Sequence, residues 1–200
     1  MTLPHRKRRK SFGEPGDVHF LTFSCFQRLP LLNRDRSRMW MVDALRLGLK
    51  KDRFHLLAWV IMPEHVHLIL VPVGDTKVSS ILTTLKQSVS KRALLWLKDN
   101  SPEFLEQLKD TQPSGRTFYR FWQRGGGYDR NLRSVRDLHE KIRYVHENPE
   151  RRRLCNRAID WRWSSARTWA IGEDDLIPIA RHLVPSLSGF DDVGGTLLGG

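Results

Sequence analysis

Apolar and polar positions alternate with two different periods along this chain. Val18–Cys25 (VHFLTFSC) is aromatic and β-branched, and the spacing of Val18, Phe20 and Thr22 predicts a strand. Asp35–Lys51 carries Met39, Val42, Leu45 and Leu49 at helical spacing. Phe54–Ile61 reads as a strand buried on both faces. Met62-Pro63-Glu64 is a tight connection, and His65–Val71 is a third strand, stopped by Pro72 and Gly74. Val78–Leu97 predicts a long helix with Ile81, Leu85, Val89 and Leu95 on its apolar side and Lys86, Lys91, Arg92 and Lys98 outside it. Residues 99–116 are polar, with room for one short helix. Thr117–Gln123 is aromatic and strand-like, followed by Gly125-Gly126-Gly127. Arg133–Asn148 predicts a helix ended by Pro149. No repeat is visible. The order βαββαβα, with a hairpin at its middle, predicts a layered α+β domain built on an antiparallel sheet.

Charge divides the chain. Residues 170–200 hold one arginine, Arg181, against five acids, a net −4, so the first 169 residues carry +16 of a total of +12. A body this basic is the footprint of a polyanion binder. Three segments follow: a basic arm over 1–16, a domain over 17–169 and an acidic, Gly-rich tail over 170–200. The longest apolar run, Leu56–Met62, is far short of the roughly 20 residues a membrane span needs. The basic start has no apolar stretch behind it, unlike a secretory signal. Two cysteines, Cys25 and Cys155, supply neither a disulfide framework nor a four-thiolate zinc site. A reducing, cytoplasmic and nucleoid-associated setting is the simple expectation.

The candidate chemistry sits at two places. His65-Val66-His67 puts two imidazoles on one face of a strand, while Val66, Leu68 and Leu70 face the other way. Such a pair holds one divalent metal ion if a third ligand arrives from elsewhere; otherwise it is two unrelated histidines. The next position on that face is Ile69, which excludes a triple-histidine motif. On the last helix, Val135, Leu138, Ile142 and Val145 form one stripe, and Tyr144 lies roughly 130° from its centre at about 100° per residue. Asn148 is one turn on and shares that side. A hydroxyl and an amide are therefore presented together, either as a site or as a rim tyrosine and a helix-ending asparagine.

The run Trp59-Val60-Ile61-Met62-Pro63-Glu64-His65-Val66-His67-Leu68, then Phe121-Trp122-Gln123, then Tyr144-Val145-His146-Glu147-Asn148-Pro149 and Trp163-Ser164-Ser165 together resemble the REP-associated tyrosine transposases. These are single-tyrosine HUH endonucleases, related to insertion-sequence transposases that act on single-stranded DNA. The resemblance covers about residues 15–169. It implies a ferredoxin-like α+β sandwich whose central antiparallel sheet carries the histidine pair, with helices packed on it. It implies a divalent metal, Mg or Mn, on His65, His67 and Asn148, and Tyr144 as the nucleophile. The implied reaction is transesterification next to a palindromic hairpin, leaving a 5′-phosphotyrosine link and a free 3′-OH. The implied partner is single-stranded or hairpin DNA, repetitive extragenic palindromes, with a monomer or homodimer doing the work.

Phosphate contacts are expected from Arg124, Arg130, Lys141, Arg151, Arg152, Arg153, Arg157 and Arg162. Trp161, Trp163 and Trp169 interleave with arginines and are candidates for stacking on unpaired bases, or for the core. Lys141, one turn before Tyr144, either helps to activate it or pairs with Asp137. Two departures stand out. Many relatives have Asn where this chain has Glu64, whose carboxylate either tunes the metal or sits in the turn. Glu150-Arg151-Arg152-Arg153 is more basic than the stretch that follows the motif in relatives. A catalytically inert hairpin DNA or RNA binder on the same fold, and a structural basic protein bound to RNA, are the alternative readings.

Overall fold

A computed structural model of the chain describes residues 16–172 and 176–187. The basic run His5–Lys10 and the acids Glu173, Asp174, Asp175, Asp191 and Asp192 lie outside the described residues. Strand β1 (Val18–Ser24) leads through a single 3-10 turn at Phe26–Arg28 to helix α1 (Asp35–Lys50). The hairpin β2 (Phe54–Ile61) and β3 (His65–Pro72) follows. Helices α2 (Val78–Asn100) and α3 (Pro102–Gln107) come next, then a small hairpin, β4 (Lys109–Thr111) and β5 (Thr117–Tyr119). Strand β6 (Tyr128–Leu132), helix α4 (Val135–Arg151) and helix α5 (Ala166–Ile171) follow, with a further 3-10 turn at Arg181–Leu183.

The main sheet is antiparallel in the order β2-β3-β1-β6, with β3 and β1 at its centre. This is the expected α+β sandwich, and its register places the site. Phe20 pairs with Ile69, Thr22 with His67 and Ser24 with His65. Side chains alternate along each strand, so one face carries Leu21, Phe23, Val66, Leu68 and Leu70, which pack with Met41, Leu45, Leu85 and Val89 of α1 and α2. The opposite face carries Val18, Phe20, Ile69 and Val71, which pack with Leu138, Ile142 and Val145 of α4. A register shift between Leu56 and Ala58 adds one residue to β2, and Leu57 and Ala58 both enter the α4-side core. The outer edge of β2 is closed rather than free. Ile61 N donates to Trp163 O, Ser165 N to Trp59 O and Ala180 N to Leu56 O.

Several sequence expectations are corrected. The fourth strand of the sheet is Tyr128–Leu132, not Thr117–Gln123. The aromatic run has strand propensity, but only Thr117–Tyr119 is a strand, paired with β4, while Phe121 and Trp122 are buried beyond the end of β1. The edge strand YDRNL was masked by its polarity, which an edge tolerates on its solvent side. Pro149 lies inside α4, which runs two residues further and stops at Arg151. Leu95 is 61% exposed, because the buried stripe continues through Val89, Ala93 and Leu97 at intervals of four. Lys86, placed outside, is half-buried and donates to Gln123 O at 3.2 Å and Gly125 O at 2.6 Å. Part of the stretch read as a tail is core: Leu176 and Ile177 are buried against the α1 side.

Candidate active site

A cleft opens on the α4 side of the sheet, lined by Phe20, Thr22, Ser24, Arg28, His65, His67, Tyr128, Tyr144, Asn148 and Arg152. Three elements build it. From β3, His65 and His67 project together because they are two residues apart on one strand. From β1, Thr22 and Ser24 stand beside them by register. From α4, Tyr144 and Asn148 are one turn apart, and the stripe of Leu138, Ile142 and Val145 presses that helix onto the sheet. Ser134 starts α4 by accepting a hydrogen bond from Asp137 N at 3.1 Å.

The geometry is tight. His65 Nε2 and His67 Nε2 are 3.0 Å apart. Asn148 Nδ2 is 3.3 Å from His67 Nε2, and the Tyr144 ring meets the His67 ring edge-on at 5.5 Å between centroids. The other nitrogens are held from behind: His67 Nδ1 is 2.7 Å from Thr22 Oγ1, and His65 Nδ1 is 2.9 Å from Glu64 Oε1. Glu64 also takes a charged hydrogen bond from Arg152 and has Arg28 Nη2 at 3.9 Å.

Electrostatics favour neutral imidazoles. Burial, and then the neighbouring His65, push His67 down to about 3. Burial also lowers His65, opposed in part by Glu64. Burial alone would raise the Glu64 carboxyl, but the hydrogen bonds and charges of Arg152 and His65 outweigh it and hold Glu64 below the usual carboxylate range.

This donor set fits a divalent cation. Two donors at right angles around one cation, each about 2.1 Å away, stand about 3 Å apart, as the two Nε2 atoms do. Asn148 Oδ1 is buried with no hydrogen-bond partner while the other end of the amide is 3.3 Å from His67 Nε2, and turning the amide over brings the oxygen to the pair. Among the described residues no group of three His, Cys, Asp or Glu side chains converges, so the set is two imidazoles and one amide with positions left open.

The eight basic residues expected at DNA divide. Arg152 lines the cleft. Lys141 Nζ lies 5.5 Å and Arg151 Cζ 5.7 Å from the centre of the Tyr144 ring. Arg124 is paired with Asp110 at 2.7 Å, Arg130 with Asp137 at 2.8 Å and Arg157 with Asp160 at 2.8 Å. Asp137 thus goes to Arg130. Arg153 and Arg162 are exposed.

The tryptophans are structural. Trp163 is buried, and Trp161 and Trp169 donate from Nε1 to Ile61 O and Leu57 O on the edge of β2. Gly127 approaches the backbone of β1: an added Cβ would lie 2.3 Å from Thr22 O. Sequence reasoning missed Thr22, Ser24, Arg28 and Tyr128, since only the pairing of β1 with β3 and β6 brings them to the histidines.

No protein-family model matches the chain. It is 27% identical over 122 residues to the REP-associated tyrosine transposase of Escherichia coli, covering 60% of this chain and 59% of that one. The match therefore spans under two thirds of that relative's length. A Haemophilus influenzae protein assigned to the same family is 22% identical over 165 residues, 78% of this chain and 83% of its own. Among solved structures, a REP-associated tyrosine transposase bound to a REP hairpin shares the fold, with a TM-score of 0.61, 21% identity and coverage of 96% of this chain and 97% of that one. Both curated relatives carry the family name that the motifs resemble, so the likeness extends well beyond those motifs.

Proposed function

We propose that this relative of the REP-associated tyrosine transposases cleaves and rejoins single-stranded DNA beside a palindromic hairpin, with Tyr144 as nucleophile. One observation carries the reading: Tyr144 and Asn148, a turn apart on α4, meet His65 and His67 in one cleft. The tyrosine oxygen attacks the scissile phosphorus. The bond from phosphorus to Tyr144 forms as the bond to the 3′ oxygen breaks, leaving a 5′-phosphotyrosine and a free 3′-OH. Rejoining reverses the same exchange, so no nucleotide cofactor is consumed.

A tyrosine hydroxyl, with an ordinary pKa of about 10, is a weak nucleophile at neutral pH. Lys141 flanks the Tyr144 ring, a cation beside the nucleophile, while Arg151 on the same ring is paired with Glu147 at 2.5 Å. Arg28 and Arg152 stand at the rim, where they meet the incoming phosphate. His65, His67 and Asn148 would hold a divalent cation, Mg or Mn, whose charge supplies Lewis-acid stabilisation of the phosphate in the transition state. The solved relative's hairpin supports a hairpin ligand here. No helix among the described residues is long and apolar enough to cross a membrane.

The test is a labelled single-stranded hairpin with Mn or Mg, resolved on a denaturing gel. Wild type forms an SDS-resistant adduct and Tyr144→Phe forms none. An adduct that survives Tyr144→Phe moves the nucleophile to another tyrosine, with Tyr128 in the same cleft the first to examine. Tight hairpin binding with no adduct in wild type returns the inert-binder reading.

A further inference from the structure

Three hydrogen bonds in series join Thr22, His67, His65 and Glu64, at 2.7, 3.0 and 2.9 Å. Their directions follow from one end. An ionised carboxylate only accepts, so the proton of His65 is on Nδ1 and is donated to Glu64. The neutral His65 ring then has a lone pair at Nε2. Two lone pairs facing each other at 3.0 Å repel unless a cation or a proton lies between them, so without a cation His67 Nε2 carries a proton and donates it to His65 Nε2. His67 Nδ1 is left as an acceptor, and the Thr22 hydroxyl donates to it. Turning the Asn148 amide over places its oxygen at the 3.3 Å position facing His67 Nε2, where it accepts from that N–H.

The two histidines are therefore not equivalent. His65 is ready to ligate through Nε2, whereas His67 carries a proton on the atom that must ligate. We infer that Glu64 and Thr22 are the positioning residues of the pair: Glu64 holds the His65 Nε2 lone pair toward the cleft, and the Thr22 hydroxyl turns from donor to acceptor so that His67 can shift its proton from Nε2 to Nδ1. The exchange balances, because one proton leaves Nε2, one is taken up at Nδ1, and the ring stays neutral. Arg152 and Arg28 on the same carboxylate keep Glu64 charged and in place. An amide at position 64 can accept from His65 but can also donate to it, so only the carboxylate makes the direction obligatory. The inference rests on the metal reading of the site.

The experiment uses the full chain labelled with nitrogen-15 and long-range proton–nitrogen spectra of the imidazole rings, with calorimetric titration of Mn. Without metal, His65 is expected as the Nδ1–H form and His67 as the Nε2–H form. Saturating Mg, which is diamagnetic, moves His67 to Nδ1–H. Glu64→Gln gives a mixed His65 ring and Mn affinity lower by about 10-fold, and Glu64→Ala by up to about 100-fold. Thr22→Val leaves His65 unchanged but weakens Mn by about 10-fold, and Thr22→Ser restores it. Retention of the Nδ1–H form and of Mn affinity within about twofold in both Glu64 variants overturns the positioning roles. A wild type that shows the expected rings but binds neither Mn nor Mg overturns the metal reading instead, and the inference with it.

Discussion

Gly127 is where the backbone leaves the glycine run and enters β6, and replacing it by alanine tests how the edge of the cleft is held. Its φ is +93°, a region that L residues rarely adopt. The added Cβ would stand 2.3 Å from Thr22 O and 3.0 Å from Phe23 Cβ. The first contact is about 1 Å inside ordinary van der Waals range, and its partner is the backbone of a central strand, which cannot swing away. The conformation costs about 1–3 kcal/mol and the overlap about as much again, so a loss of about 3 kcal/mol is expected. Gly126→Ala is the internal control: nothing lies within 4 Å of its Cβ and its φ is not positive, so its change stays within about 0.5 kcal/mol. Urea unfolding of both variants measures the difference, and Gly127→Ala should melt roughly 10 °C lower, at about 2–4 °C per kcal/mol. Because β6 carries Tyr128 into the cleft beside Thr22, hairpin binding should weaken in the same variant. Equal stability of the two variants would refute the close-approach argument.

His146, buried by Trp169 and 2.8 Å from Ser165 Oγ, is pushed down to about 4 by burial. The unfolded state, with a pKa of about 6.5, therefore binds the proton first. This contribution is complete above pH 6.5 and declines as pH falls toward 4, by up to about 3 kcal/mol. Urea unfolding at pH 7 and pH 4.5 should show a smaller acid loss in His146→Gln than in wild type, and parallel losses would count against it. Ile177 is 1% exposed, so Ile177→Ala should cost about 2–5 kcal/mol, whereas a residue of a solvated tail would cost almost nothing.

Much of the chemistry was legible in one dimension, and the reason is periodicity. Two residues apart on a strand means one face, and four apart on a helix means one side. The pairs His65 with His67 and Tyr144 with Asn148 were therefore recognisable from spacing alone. The heptapeptide Leu56–Met62 could only be a buried strand or a buried helix, and its length and β-branched content favoured the strand. The strand Tyr128–Leu132 was not legible, because a polar edge strand gains its ladder from a neighbour and leaves little mark in hydrophobicity. The tryptophans near the end of the domain had two readings, stacking or core, and the fold selects the core one for a related reason. Interleaved arginines suggest stacking on bases, yet the indole N–H groups of Trp161 and Trp169 close the open edge of β2.

The sequence by itself determined which residues share a local face, that the body carries the charge expected of a polyanion binder, and that the sheet is antiparallel with a hairpin midway along the element order. Only the tertiary structure decided that the two pairs face each other, that Thr22 and Glu64 hold the histidines from behind, and that Asp110, Asp137, Glu147 and Asp160 take Arg124, Arg130, Arg151 and Arg157 as partners. The division has a simple cause. Local periodicity is fixed by the backbone of a single segment, whereas register between segments is set by which faces can be buried together, and that is a property of the whole fold.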